Sequence, residues 1–163
     1  KLEGERNALK HHHTIVIRTS WLYSAFGNNF VKTIIKKAKE NASLKVVNDQ
    51  TGTPTWAADL ANAVMKIIHD INRNNTPFTG GIYHYSNEGE CTWYEFAKSI
   101  LSFSGIYCPF EPVNSDAYPT IAVRPHYSVL SKKKISDTYG IRVPGWEDSM
   151  KKCIDQMKKE NVI

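Results

Sequence analysis

The order of apolar and polar positions divides the chain into alternating strands and helices. The β-branched run Thr14-Ile15-Val16-Ile17-Arg18 predicts a strand buried on both faces in a parallel sheet. Gly27-Asn28-Asn29 is turn chemistry, and Phe30, Ile34, Ile35 and Ala38 then share one face opposite a row of lysines, predicting an amphipathic helix over 30–39. Residues 44–47 read as a short buried strand. Gly52 and Pro54 punctuate the chain before the periodic run Leu60, Ala61, Val64, Ile67, Ile68 and Ile71, which predicts a helix over about 56–72 with Thr55 as its N-cap. A polar loop, 73–77, precedes the short strand Ile82-Tyr83-His84-Tyr85, introduced by Gly80-Gly81. Thr92-Trp93-Tyr94-Glu95 is a capping box and predicts a helix over 93–104 closed by Gly105. Residues 107–113 contain two prolines and read as an edge strand or extended segment. Residues 115–127 read as irregular chain wrapping the surface; a short helix is expected from Ser131 toward Tyr139, and an amphipathic one over 146–159. The polar residues 1–10, anchored by Leu2 and Leu9, suit the exposed end of a helix.

Two strand ends stand out as places for a ligand. At 46–56 a strand, a polar turn and a helix start follow in quick succession, and the unpaired N–H groups of a helix start attract an anion or polar ligand. The same stretch also reads as a tight connection that holds nothing. After 14–18, Thr19-Ser20-Trp21-Leu22-Tyr23 places small hydroxyls and large aromatics where ligands of open α/β sheets collect.

Composition narrows the function classes. With 163 residues, 41% hydrophobic and 23% charged, the chain is an ordinary globular domain with a real core. Its net charge of +5 permits an anionic ligand, but the lysines are spread at helical spacing over solvated faces, so no nucleic-acid partner is expected. Cys91, Cys108 and Cys153 are an odd count without metal-like spacing and imply free thiols in a reducing compartment. No apolar run approaches a membrane span and no signal peptide opens the chain, so a cytoplasmic address without a membrane partner is expected. Consecutive His11, His12 and His13 do not share a helix face and read as a solvated loop, leaving no metal site. Paired carboxylates, a phosphate-cradling glycine loop and a nucleophile elbow are all missing. What remains are polar and aromatic groups at loop positions: Trp21 and Tyr23; Asn28 and Asn29; Asp49, Gln50 and Thr55; Tyr118, Arg124 and Ser128. Aromatic rings stack on a sugar or base, amides fork to hydroxyls, and Arg124 suits a phosphate. Each also has a purely structural reading: Trp21 as core, Asn28 and Asn29 as a turn, Arg124 as one member of a surface ion pair.

Taken in order, Arg18-Thr19-Ser20-Trp21-Leu22-Tyr23, Gly27-Asn28-Asn29-Phe30, Val47-Asn48-Asp49-Gln50 with Gly52 and Pro54-Thr55, Thr92-Trp93-Tyr94, Ala117-Tyr118-Pro119-Thr120, and Arg124-Pro125 with Ser128 resemble the dTDP-4-dehydrorhamnose reductase family over nearly the whole chain. These are extended short-chain dehydrogenase/reductases that reduce a 4-keto sugar nucleotide to dTDP-L-rhamnose with NADPH or NADH. The resemblance implies an α/β fold: the C-terminal part of a Rossmann-like NAD(P)-binding fold with the smaller mixed α/β substrate-binding region, residues 1–25 being the Rossmann remnant and 26–163 mainly the sugar-nucleotide region. Lys1-Leu2-Glu3-Gly4-Glu5 resembles the tail of the family's Tyr-x-x-x-Lys helix, with Lys1 at the catalytic lysine and its tyrosine four positions earlier, outside the chain. The glycine-rich turn that binds the cofactor pyrophosphate is likewise outside it. The resemblance places Lys1 and Ser20 at the cofactor and Trp21 at the sugar, with Asn29, Gln50, Thr55, Tyr118 and Arg124 around the sugar-nucleotide cleft. Some members dimerise through a glutamate-held metal; one such position is Ala58 here, and the neighbouring Asp59 points elsewhere on a helix, so no metal is expected. The chain alone is expected to be inactive, to bind little or no cofactor, and to self-associate through an exposed sheet edge. Two alternatives stay open: another sugar-nucleotide reductase or epimerase, and a non-catalytic regulatory subunit of the same fold.

Overall fold

The computed structural model describes residues 1–40, 42–73, 75–119 and 121–163; Asn74 of the polar loop and Thr120 of the Tyr-Pro-Thr motif lie outside the described residues. In chain order the elements are α1 (Leu2–Ala8), β1 (Ile15–Arg18), β2 (Leu22–Tyr23), α2 (Phe30–Glu40), β3 (Leu44–Val47), β4 (Thr51–Gly52), β5 (Thr55–Trp56), α3 (Ala57–Asn72), β6 (Gly81–His84), β7 (Cys91–Thr92), α4 (Trp93–Ser104), β8 (Phe110–Val113), a 3-10 turn at Ser115–Ala117, α5 (Lys133–Tyr139) and α6 (Trp146–Lys159).

This is the α/β arrangement that the alternating pattern implies. The strands pair in twos: β1 runs parallel to β6 with Ile15 opposite Gly81, β3 parallel to β8 with Leu44 opposite Phe110, and β2 parallel to β5, while β4 is antiparallel to β7. Parallel neighbours need long crossovers, and those crossovers carry the helices. Pro112 sits in β8 opposite Val46, a position an edge strand tolerates.

One core forms where α2, α4 and α6 pack together over β3. Ile34 and Ile35 come from α2, Phe96 and Ile100 from α4, and Met150 and Ile154 from α6. Each such large apolar side chain contributes about 1.5–3 kcal/mol on burial. A second core joins Ala63 and Ile67 of α3 to Tyr83 and Tyr85 at the β6 end and to Ile135 and Tyr139 of α5. Among the described residues no helix is long and apolar enough to cross a membrane. The thiols of Cys91, Cys108 and Cys153 are buried, and none is in a disulfide.

Three local expectations are corrected. β1 is only half-buried at Ile15, Val16 and Ile17 rather than covered on both faces, because β6 is its one strand neighbour among the described residues. Thr55 does not cap α3: it is committed to β5, and the helix starts at Ala57 after Trp56 without a side-chain cap. Asn87 takes over, its Oδ1 accepting the Trp56 N–H at 2.8 Å while its Nδ2 donates to Asp59 at 2.7 Å and to Ser149 Oγ at 3.1 Å. α5 begins at Lys133, two residues after Ser131.

Candidate functional site

A cleft of about 970 Å³ opens between α2, β3 and the segment 114–126, with Gln50 and Trp93 at its wall. Its shape follows from local bonds. Asn29 caps α2, its Oδ1 accepting from the Lys32 N–H at 3.2 Å while its Nδ2 donates back to the Ser24 carbonyl at 2.8 Å, and this puts Phe30 at the start of the helix against the cleft. The opposite wall is a strap, residues 114–119 and 121–128, fastened at both ends to one stretch of chain. At one end the Asp49 carboxylate accepts the Ser115 N–H at 3.0 Å and its hydroxyl at 2.8 Å, and the Tyr118 hydroxyl donates to the Lys45 carbonyl at 3.1 Å. At the other, the Thr51 N–H donates to the His126 carbonyl at 2.7 Å and the Ser128 N–H to the Thr51 carbonyl at 2.9 Å. Between these anchors Arg124 faces the cleft while remaining solvent-accessible. The bonds from Ser115 hold the Asp49 carboxyl below the usual carboxylate range.

Of the residues implied by the resemblance, the cleft gathers Gln50, Tyr118 and Arg124. Asn29 and Thr55 do not line it: Asn29 is the cap just described, and Thr55 is fully buried with a hydroxyl that has no hydrogen-bond partner among the described residues. Trp21 lies next to the cleft. Its indole is stacked on that of Trp93, with ring centroids 3.5 Å apart and planes 12° apart, and its backbone is left-handed at φ +43°. Ser20 precedes it, the Oγ donating to the Thr53 carbonyl at 2.8 Å, which leaves the oxygen lone pairs to accept from a ligand. Tyr23 is core, its hydroxyl pushed to a higher pKa chiefly by burial. Lys1 is the exposed N-cap of α1, and Glu5 in that helix takes a forked ion pair from Arg18 at the end of β1, the closest approach being 2.6 Å. Lys1, at the start of α1, and Ser20, two residues beyond β1, thus adjoin elements that this ion pair ties together. Asp59 Oδ2 is occupied by Asn87 and Ser149.

Sequence reasoning missed Phe30, Trp93 and His126 as cleft residues. The capping box was a usable signal for Trp93: the residue after a capping Thr92 must project from the helix start, and Thr92 itself is bound to Asn48 beside the polar turn at 2.8 Å.

Comparison with known proteins identifies the family. The chain is 41% identical over 141 residues to a spore coat polysaccharide biosynthesis protein, SpsK, of Bacillus subtilis, covering 86% of this chain and 47% of that protein. It is 40% identical over 160 residues to a dTDP-4-dehydrorhamnose reductase of Sinorhizobium fredii, covering 94% of this chain and 54% of the relative. A crystal structure of a dTDP-4-dehydrorhamnose reductase of Bacillus anthracis in complex with NADP superimposes with a TM-score of 0.86 at 36% identity, over 96% of this chain and 53% of that one. The chain therefore spans about half the length of the relatives it matches. The family model described as the RmlD substrate binding domain matches residues 1–159, and the chain belongs to that family.

Proposed function

We propose that this chain supplies the sugar-nucleotide-binding half of an NAD(P)H-dependent dTDP-4-dehydrorhamnose reductase, which converts dTDP-4-dehydro-L-rhamnose to dTDP-L-rhamnose for cell-surface polysaccharide synthesis in the cytoplasm. The observation that carries this reading is the meeting of Gln50, Tyr118 and Arg124 in one cleft beside Phe30 and Trp93. A guanidinium matches a diphosphate bidentately, flat aromatic faces accept a base or sugar ring, and an amide fixes orientation. Trp21 marks the sugar end, and Ser20 lies where the chain leaving β1 approaches the nicotinamide.

A bound reduced nicotinamide would supply the hydride. Lys1 fits such a cofactor as an exposed ammonium on a helix held to β1 by Glu5 and Arg18; it would hold the cofactor ribose and lower the pKa of a proton-donating tyrosine. In this reading residues 1–25 are the cofactor-side remnant and 26–163 the substrate region. The chain alone has no turnover and binds cofactor weakly or not at all, and it self-associates through the outer edge of β1.

Calorimetric titration with dTDP tests the reading. The chain should bind dTDP, and Arg124→Ala should weaken binding about tenfold or more, the worth of a charged hydrogen bond. No binding, or an unchanged affinity in the variant, would overturn it.

A further inference from the structure

We infer that Trp93 is a positioning residue: it holds Trp21 in its strained backbone conformation and carries the filling of the cleft to the Trp21 ring. The inference rests on the cleft being the nucleotide site.

A left-handed backbone is rare for a residue as bulky as tryptophan and persists only where the surroundings impose it. At Trp21 three contacts do so. The Trp21 carbonyl accepts the Thr55 N–H at 3.1 Å, which fixes the backbone at the start of the β2–β5 pair. The ring lies on Gly52, where an added Cβ would come within 2.6 Å of Cε2, so the ring rests directly on the backbone of the polar turn. Its other large contact is the parallel stack on Trp93.

Trp93 is itself held from behind. It is the first residue of α4, and the helix start is fixed twice, by the reciprocal Thr92–Glu95 capping box and by the Thr92 hydroxyl bond to Asn48. Its ring has one face on Trp21 and a tilted contact with Phe30, centroids 4.5 Å apart, at the cleft wall. Trp93 is thus the only one of the two stacked indoles that also lines the cleft, among the described residues. A ligand ring pressed against Phe30 and Trp93 shifts the Trp93 ring, and the shift is felt by Trp21 through the stack.

Two indoles stacked 3.5 Å apart couple their electronic transitions, and a twist of one ring on the other about the stacking axis turns that coupling into a paired positive and negative circular-dichroism band that isolated tryptophans lack. The chain should show this couplet, and Trp93→Leu and Trp21→Leu should each abolish it while Trp93→Phe, which keeps an aromatic face, should retain a dTDP affinity near that of the parent. Trp93→Leu should lose about three- to tenfold in dTDP affinity, the worth of one aromatic pair. Titration with dTDP should change the couplet in step with the heat of binding. Heat of binding with an unchanged tryptophan circular-dichroism spectrum would overturn the inference while leaving the nucleotide site intact. Absence of any heat would overturn the function reading and this inference together.

Discussion

Asp49 and Ser115, 66 positions apart, are joined by three hydrogen bonds that fix the strap to the end of β3, the carboxylate accepting both the backbone N–H and the hydroxyl of the serine. Because these bonds favour the ionised form, the folded-state pKa lies below the unfolded value of about 3.9. The stabilisation is therefore complete above that value and is lost as pH falls through the lowered folded pKa. Loss of amide protection over 115–119 and 121–126, taken relative to the unstructured exchange rate at each pH, should appear only in strong acid. In Asp49→Ala the protection should already be lost at neutral pH; a variant strap as protected as the parent's would show that the other anchors suffice.

Gly52 is required by space rather than by backbone angle. A Cβ on the buried Gly52 would meet Trp21 Cζ2 at 2.7 Å and Ser128 Oγ at 2.9 Å. Gly52→Ala should lower stability by about 1–3 kcal/mol through overpacking, read as a shift in urea midpoint without a change in slope. An unchanged midpoint would mean that the Trp21 ring moves freely.

How much of this was legible in the sequence depends on how local the cause is. The α4 boundaries were readable because the capping box and Gly105 both lie within the segment, and both ends form as expected. The lysine-faced α2 was readable from its period. Thr55 misled because its residue type suits a cap, whereas the pairing of β5 with β2 decides where its side chain goes. Asn87 was invisible for the complementary reason: its partners Trp56, Asp59 and Ser149 are 28 to 62 positions away, and a single asparagine after a strand carries no spacing signal. The cleft was half legible. Gln50, Tyr118, Arg124, Phe30 and Trp93 all belong to the ordered motif set, but Phe30 and Trp93 read equally well as core aromatics and were not singled out for the cleft, and the structure gives them both roles.

Asn87 should be among the costly polar positions. It is fully buried, and Asn87→Ala would strip the Trp56 N–H of its acceptor and remove a donor from Asp59. A loss of about 1–3 kcal/mol is expected, against a smaller one for Ser149→Ala, because leaving buried groups unpaired costs more than the bond contributes. Equal, small effects for the two variants in thermal denaturation would contradict the assignment of Asn87 as the centre of the network.

The proposed assignment of residues 1–25 as a cofactor-side remnant has two measurable consequences. Purified 163-residue chain given NADPH and dTDP-4-dehydro-L-rhamnose should leave NADPH absorbance unchanged, and any steady turnover would refute the proposed division of labour. With β6 as the one strand neighbour of β1 among the described residues, light scattering should show concentration-dependent association. A monomer at high concentration would show that the edge is protected.

The central claim is that the cleft between α2, β3 and the strap is the nucleotide site, and amide chemical-shift mapping during a dTDP titration tests it most directly. The largest shifts should fall on Phe30, Gln50, Trp93, Tyr118 and Arg124, with α5 and the far end of α3 silent. Shifts concentrated away from these residues, or no shifts at saturating dTDP, would contradict the account.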